Sequence, residues 1–194
     1  CIRDSAQLYD QIYHSFYEST LALYQDQYPL FGDPEVLPVK VIWDYAYYWG
    51  VLSQIFFQGR LTDLALLGSV RDELQHCQRL NLAVQALLRA WSGASEKRNR
   101  AAMLDQASMP WFAELNRSLN DRLDDAAFKA RIRASTAQLR RLAGEILARA
   151  RDCDPALEAA ALEALLAQPD YGGAERLSAA PREDETMLFA VPAG

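Results

Sequence analysis

Apolar residues near the start of the chain return every third or fourth position, at Tyr9, Ile12, Tyr13, Phe16, Tyr17, Leu21 and Tyr24. That spacing lines one face of a 3.6-residue helix, so a helix is predicted from Asp4 to Gln25, capped by Asp4 or Ser5. Its tyrosine stripe reads as packing rather than ligand contact. From Gln27 to Pro34 the period breaks, because two prolines lack amide donors and Gly32 permits a positive φ; an ordered loop is expected. Val39 to Gln58 is apolar nearly all round, as in a helix enclosed by others, and Gly59 stops it. A short helical turn follows at Leu61 to Leu67, and Ser69 with Asp72 three residues on resembles a capping box. The stripe Val70, Leu74, Cys77, Leu80, Val84, Leu87, Leu88 and Trp91 then predicts a long helix from Val70 to Trp91.

Ser92 to Arg100 interrupts the pattern with Gly93, two serines and four charged residues, and reads as an internal linker. Further helices are predicted at Arg100 to Ala107, Pro110 to Arg122 behind Ser108, Asp125 to Ala150, and Pro155 to Ala167 behind Asp154. The tail from Gln168 mixes Gly, Pro and charge and is expected to be extended or disordered, with Met187 to Val191 docking as a short strand or hook. The fold class is therefore all-α: an irregular bundle of six or seven helices with an extended C-terminal tail. Three parts follow from composition: an aromatic-rich part over 1–91, an Ala/Arg/Leu-rich part over 92–167, and the tail over 168–194. Fourteen of the 20 aromatic residues fall within the first 57 positions, so a ligand is expected in the first part.

Of the 194 residues, 51% are hydrophobic and 24% charged, enough for one domain burying roughly 70% of its unfolded surface and too apolar for wholesale disorder. A net charge of −6 and a pI near 5.0 argue against wholesale binding to nucleic acid or anionic lipid. Seven basic residues between Lys129 and Arg151 face the single acid Glu145 there, but they do not keep to one face and acidic segments flank them. They read as a solvated helix pairing with those acids. The apolar run Val39 to Phe57 carries Lys40, Asp44, Ser53 and Gln54, so it reads as a buried helix and not a membrane span. Cys1, Cys77 and Cys153 are too few and too scattered for a disulfide framework, which favours a reducing, cytoplasmic setting. A chain opening at Cys1 fits a piece of a longer polypeptide, or a lipoprotein lipidated on Cys1; the first is favoured.

Three groupings could carry chemistry. Glu73-x-x-His76 has the spacing of di-iron carboxylate bundles, and Asp10, His14 and Glu18 share one face of the first helix. A reduced di-metal oxygenase site of Glu73, His76, His14 and Glu18 is thus a minor alternative to two histidines on partly exposed faces, with Glu73 and His76 in local contact. Zinc held by His76 and Cys77 is disfavoured, because adjacent helix positions diverge by about 100°. Lys40 and Asp44 are four apart and suit a partly buried ion pair within the core. Alternatively, the run Trp43 to Trp49 lines a pocket where aromatic faces sandwich a planar substrate, although at most half of these side chains can face one cavity. No Gly-x-Gly-x-x-Gly, phosphate loop or Gly-x-Ser-x-Gly elbow occurs.

The runs Tyr24-Gln25-Asp26-Gln27-Tyr28-Pro29-Leu30-Phe31-Gly32-Asp33 and Lys40-Val41-Ile42-Trp43-Asp44-Tyr45-Ala46-Tyr47-Tyr48-Trp49 resemble the C-terminal helical region of flavin-dependent, tryptophan-halogenase-like enzymes. The likeness covers Ile2 to Trp91 and is strongest from Tyr24 to Leu61. It implies a parent halogenase or related oxidoreductase whose N-terminal flavin domain binds FAD, with a lysine of that domain relaying the oxidant to an aromatic small molecule. The helical region would cap the substrate side, with Trp43, Asp44, Tyr47, Tyr48 and Trp49 as substrate-binding residues. The sequence departs from the family's pattern: the FAD fingerprint is absent, no Trp-x-Trp-x-Ile-Pro occurs, and Lys40 matches no relay-lysine motif. No catalytic residue carries over, so the expectation is a portion that binds no cofactor alone, is inactive by itself, and has the flavin domain as its partner. The rival expectation is a helical binding or interaction module, lipid-anchored at Cys1.

Overall fold

The computed structural model describes residues 2–25, 27–31, 33–94 and 110–169. They form α1 (Ile2–Gln25), a 3-10 turn (Tyr28–Leu30), α2 (Val36–Tyr47), a π-helical segment (Tyr48–Leu52), α3 (Ser53–Phe57), α4 (Leu64–Gly68), α5 (Arg71–Ala94), α6 (Pro110–Ser118), α7 (Asp125–Cys153) and α8 (Ala160–Leu166). No strand occurs among the described residues. Because α2, the π segment and α3 follow one another without a break, they form a single rod, and the described residues make an all-α bundle of seven rods. The helix expected at Arg100 to Ala107, its neighbour's Ser108 cap, the tail beyond 169 with Met187 to Val191, and Cys1 lie outside the described residues.

Short-range chemistry fixes most ends. The buried Asp33 accepts from the amides of Glu35 and Val36 at 3.0 and 2.9 Å, which turns the proline-containing loop into the start of α2. At the far end of the rod, Gly59 has φ +65°, and the Arg60 amide bonds back to the Ile55 carbonyl at 2.9 Å. This left-handed stop matches the expected one. Asp63 and Asp124 cap α4 and α7 through the amides of Leu66 and Ala127. Two expected caps are corrected. The Ser69 hydroxyl donates backward to the Leu66 carbonyl at 2.6 Å, closing α4. Asp154 accepts from the Ala156 amide at 3.0 Å, an Asx-turn that starts α8 at Ala160 and not at Pro155. The intervening stretch buries Leu157 and Ala159.

The core runs through the middle of the bundle. Ile42, Trp43, Ala46 and Tyr47 of the rod pack with Leu80, Val84 and Leu88 of α5, and with Leu139, Leu142 and Ile146 of α7. Trp111 and Leu115 of α6 and Leu162 and Leu165 of α8 belong to the same cluster. One core therefore unites the aromatic-rich and the Ala/Arg/Leu-rich parts. Each fully buried side chain of this kind contributes about 1.5–3 kcal/mol. A smaller cluster joins Ile12, Ile55, Leu66, Leu67, Val70, Phe128 and Ile132. It corrects the reading of α1: Ile12 and Ser15 turn inward, whereas Tyr13 and Tyr17 are 57% and 56% exposed. A tyrosine ring can lie along a surface with its hydroxyl in water, while isoleucine has no such option.

Candidate functional site

The rod from Val36 to Phe57 carries all five residues expected to bind substrate, and the structure divides them among three environments. Trp43 is wholly buried and donates from Nε1 to the Asn81 Oδ1 at 2.9 Å. Asp44 is also interior: its Oδ2 lies 2.7 Å from the Lys40 Nζ, and its Oδ1 accepts from the Gln85 Nε2 at 2.7 Å. Lys40, 1% exposed, also donates to the Gln85 Oε1 at 3.0 Å. Ammonium, carboxylate and amide therefore close a three-membered ring, in which the i,i+4 pair expected from the sequence is completed by a third member from α5. Such a ring satisfies both buried charges and fixes the rotation of α2 against α5.

Tyr47 borders a crevice formed with Ile12, Ser15, Val51, Leu52, Ile55, Leu74, Gln75 and Gln78. It has room for about one water molecule, far less than an aromatic substrate needs. Tyr48 and Trp49 belong elsewhere. They are half-buried, as are Leu37, Val41 and Tyr45, and these five form a line up one side of the rod at helical spacing. Tyr45 and Trp49 meet edge-to-face, ring centroids 4.8 Å apart at 67°. The rod's other faces are buried from Val36 to Ile55, and this line keeps partial exposure while packing against the core. The rings of Phe56 and Phe57 extend the exposed aromatic surface at its end, 59% and 63% exposed.

The π segment sets the phase of α3, which buries Ile55 and exposes Phe56 and Phe57. One residue inserted into the i to i−4 ladder turns every later side chain by about 100°. Gln54 supports it by donating from Nε2 to the Trp49 carbonyl at 3.3 Å and to the Ser118 hydroxyl of α6 at 3.2 Å. Gly50 presents no side chain, which brings the rod close to Ser135 of α7: a Cβ at position 50 would sit 3.5 Å from its hydroxyl.

The alternative metal set is dispersed. His14 and Glu18 are exposed on α1. Glu73 is buried and paired with the Arg133 Nε at 2.9 Å. His76 is buried as well, its Nε2 3.0 Å from the Arg140 Nη1. Partly exposed faces and a mutual Glu73–His76 contact were expected; α7 instead supplies each with an arginine. Among the described residues no group of three or more His, Cys, Asp or Glu side chains could hold a metal ion. Burial pushes the Cys77 thiol up to about 12, the Thr136 hydroxyl 3.3 Å away opposing this and Glu73 adding to it. The exposed Cys153 thiol is also raised, by partial burial and then by Glu35. Neither thiol is an activated nucleophile at neutral pH.

Four of the seven basic residues on α7 are engaged within the molecule. Arg131 pairs with Asp121, Arg133 with Glu73 and Arg151 with Glu163, while Arg140 meets backbone carbonyls at the end of α8. No helix among the described residues is long and apolar enough to cross a membrane. Sequence reasoning missed Asn81, Gln85 and Arg140. For the first two a signal existed: both sit four apart on α5, inside the arc that buries Leu80, Val84 and Leu88. No family model, curated protein or solved structure matches the chain.

Proposed function

We propose that this domain is the substrate-side helical portion of a flavin-dependent, halogenase-like oxidoreductase acting on an aromatic small molecule, with the flavin chemistry in a separate module. The supporting observation is the seam of Leu37, Val41, Tyr45, Tyr48 and Trp49 on a rod otherwise enclosed by its own bundle. Aromatic side chains half in and half out of a core suit a surface that meets another body, and they carry large contact area at little conformational cost. On this reading Tyr48 and Trp49 face the aromatic substrate or the module that holds it. Trp43, Asp44 and Tyr47 hold the wall in place from behind. The Lys40–Asp44–Gln85 ring keeps the seam at one rotation.

On this reading the flavin is held by the separate module. The crevice at Tyr47 is too small for an isoalloxazine, and the chain lacks the glycine-rich turn that brings a backbone close to a pyrophosphate. No catalytic step is assigned to this domain. The test is to read the coding sequence upstream of Cys1 and assay the whole polypeptide it encodes with reduced flavin, halide and aromatic substrates. A flavin module upstream, with Trp49→Ala raising KM at least tenfold while the melting temperature stays within a few degrees, supports the assignment. A lipid-attachment signal ending at Cys1, or kinetics indifferent to both Trp49→Ala and Tyr48→Ala, overturns it.

A further inference from the structure

α1 meets the bundle along one edge and leaves a row of rings outside. Of its described side chains Ile12 and Ser15 are buried, whereas Tyr9, Tyr13 and Tyr17, each four residues from the next, are 39%, 57% and 56% exposed. The Tyr9 and Tyr13 rings lie nearly parallel, centroids 6.5 Å apart at 13°, and Tyr17 continues the row one turn on. Asp10 and Glu18 are exposed beside the row, and His14 stands edge-to-face with Tyr13 at 6.2 Å. From Asp4 to Val39 the chain holds six acids and no lysine or arginine. That stretch carries a formal charge of −6, as large as that of the whole chain, so acids and bases balance over the rest. The charge asymmetry therefore coincides with the exposed aromatic row.

We propose that the outer face of α1 docks an arginine-bearing helix of a partner protein. A tyrosine ring offers a negative π face that attracts a guanidinium, and arginine both stacks on such a ring and forks onto a carboxylate. The spacing suits a helix. Four residues rise about 6 Å, so a partner laid along α1 with arginine at every fourth position sets one guanidinium against each ring. Asp10 and Glu18, about 12 Å apart along the axis, then complete charge-assisted bonds at the border of the row. Tyrosine and arginine are also the residues that carry contact energy at small, partly wet interfaces. A second copy of this chain would bring the same acidic stretch against this one, and like charges across an interface oppose association. An anionic membrane or a nucleic acid is repelled for the same reason. The row belongs to α1 and the seam to the rod, so this inference stands apart from the flavin assignment.

The test titrates the whole 194-residue chain into a fluorescein-labelled synthetic helix of alanine and glutamine with arginine at every fourth position, followed by anisotropy at low salt and at ~0.3 M NaCl. The expected result is saturable one-to-one binding that weakens as salt rises, and none for the same peptide with glutamate in place of arginine. Lysine in place of arginine should bind several-fold more weakly, because an ammonium does not stack. Tyr13→Ser/Tyr17→Ser removes two ring contacts and should weaken binding about tenfold. Asp10→Asn/Glu18→Gln should weaken it by a similar factor and remove most of the salt dependence. Asp152→Asn/Glu158→Gln changes the net charge equally at exposed acids near the end of α7 and before α8, and should bind within twofold of the wild type. All six positions are exposed, so each variant should keep the wild-type melting temperature within a few degrees by circular dichroism. Absence of saturable binding, tyrosine variants that bind like the wild type, or equal losses in the Asp10/Glu18 and Asp152/Glu158 variants overturn the proposal. Self-association of the chain that Tyr13→Ser/Tyr17→Ser abolishes gives the face to a second copy and overturns it as well.

Discussion

Replacing Lys40 by methionine removes a charge at nearly constant volume from a position that is 1% exposed. Two bonds are lost, to the Asp44 Oδ2 at 2.7 Å and to the Gln85 Oε1 at 3.0 Å. The larger consequence is a carboxylate left in the interior without its ammonium partner, while the Gln85 Nε2 still donates to it at 2.7 Å. Breaking a buried pair in this way costs about 3–5 kcal/mol, whereas removing both charges together is often neutral. For a chain of this size each kcal/mol shifts the melting temperature by about 2–4 °C, so Lys40→Met should melt about 6–20 °C lower. The double variant Lys40→Met/Asp44→Asn replaces the ring by a neutral amide pair between Asn and Gln85. It should recover most of the loss. Urea unfolding at pH 7 of the wild type, both single variants and the double variant gives the coupling energy directly. A loss below about 1 kcal/mol in Lys40→Met, or a double variant as unstable as the sum of the singles, would refute the closed ring as the element that holds α2 on α5.

Three further outcomes follow from the same geometry. Gly59→Ala forces a side chain into φ +65° and should cost about 1–2 kcal/mol, although nothing lies within 4 Å of the added carbon; an unchanged denaturation midpoint would contradict the left-handed stop. Native labelling with a thiol reagent at pH 8 should modify Cys153 and spare Cys77, as judged by peptide mapping, and rapid modification of Cys77 would show that its site is open. Because the Cys77 thiol is raised from 9.0 to about 12, the folded state keeps a proton that the unfolded chain loses. Its contribution is complete below about pH 9.0 and disappears as pH climbs toward 12, so Cys77→Ala should flatten the alkaline fall in stability; an identical slope in both proteins would exclude this thiol as a source.

Local periodicity and turn chemistry sufficed for the fold class. The helical stripe on α5, the stop at Gly59, the start of α7 at Asp125 and the i,i+4 pairing of Lys40 with Asp44 each involve residues within one or two turns of one another, and such patterns can be read along the chain. The Asp154 turn shows the limit of that reading. Its preference for capping was legible, but burial of Leu157 and Ala159 decided that it would close an Asx-turn and delay α8.

What the site became depended on rotation, and rotation is a tertiary property. A helix apolar on all sides does not say which side is inside; the partners that settled it, Asn81 for Trp43 and Gln85 for Asp44, lie 38 and 41 residues away. The π segment over Tyr48–Leu52 then changed the phase of α3, a shift that no spacing rule announces. His76 reads as a polar helix residue until α7 brings Arg140 against it from 64 positions away. The sequence alone determined that this chain would build helices and where most of them end, because those choices rest on neighbouring residues. Only the packed bundle decided which aromatic rings face outward and which charges lie within, because those choices rest on side chains that meet only once the helices have docked.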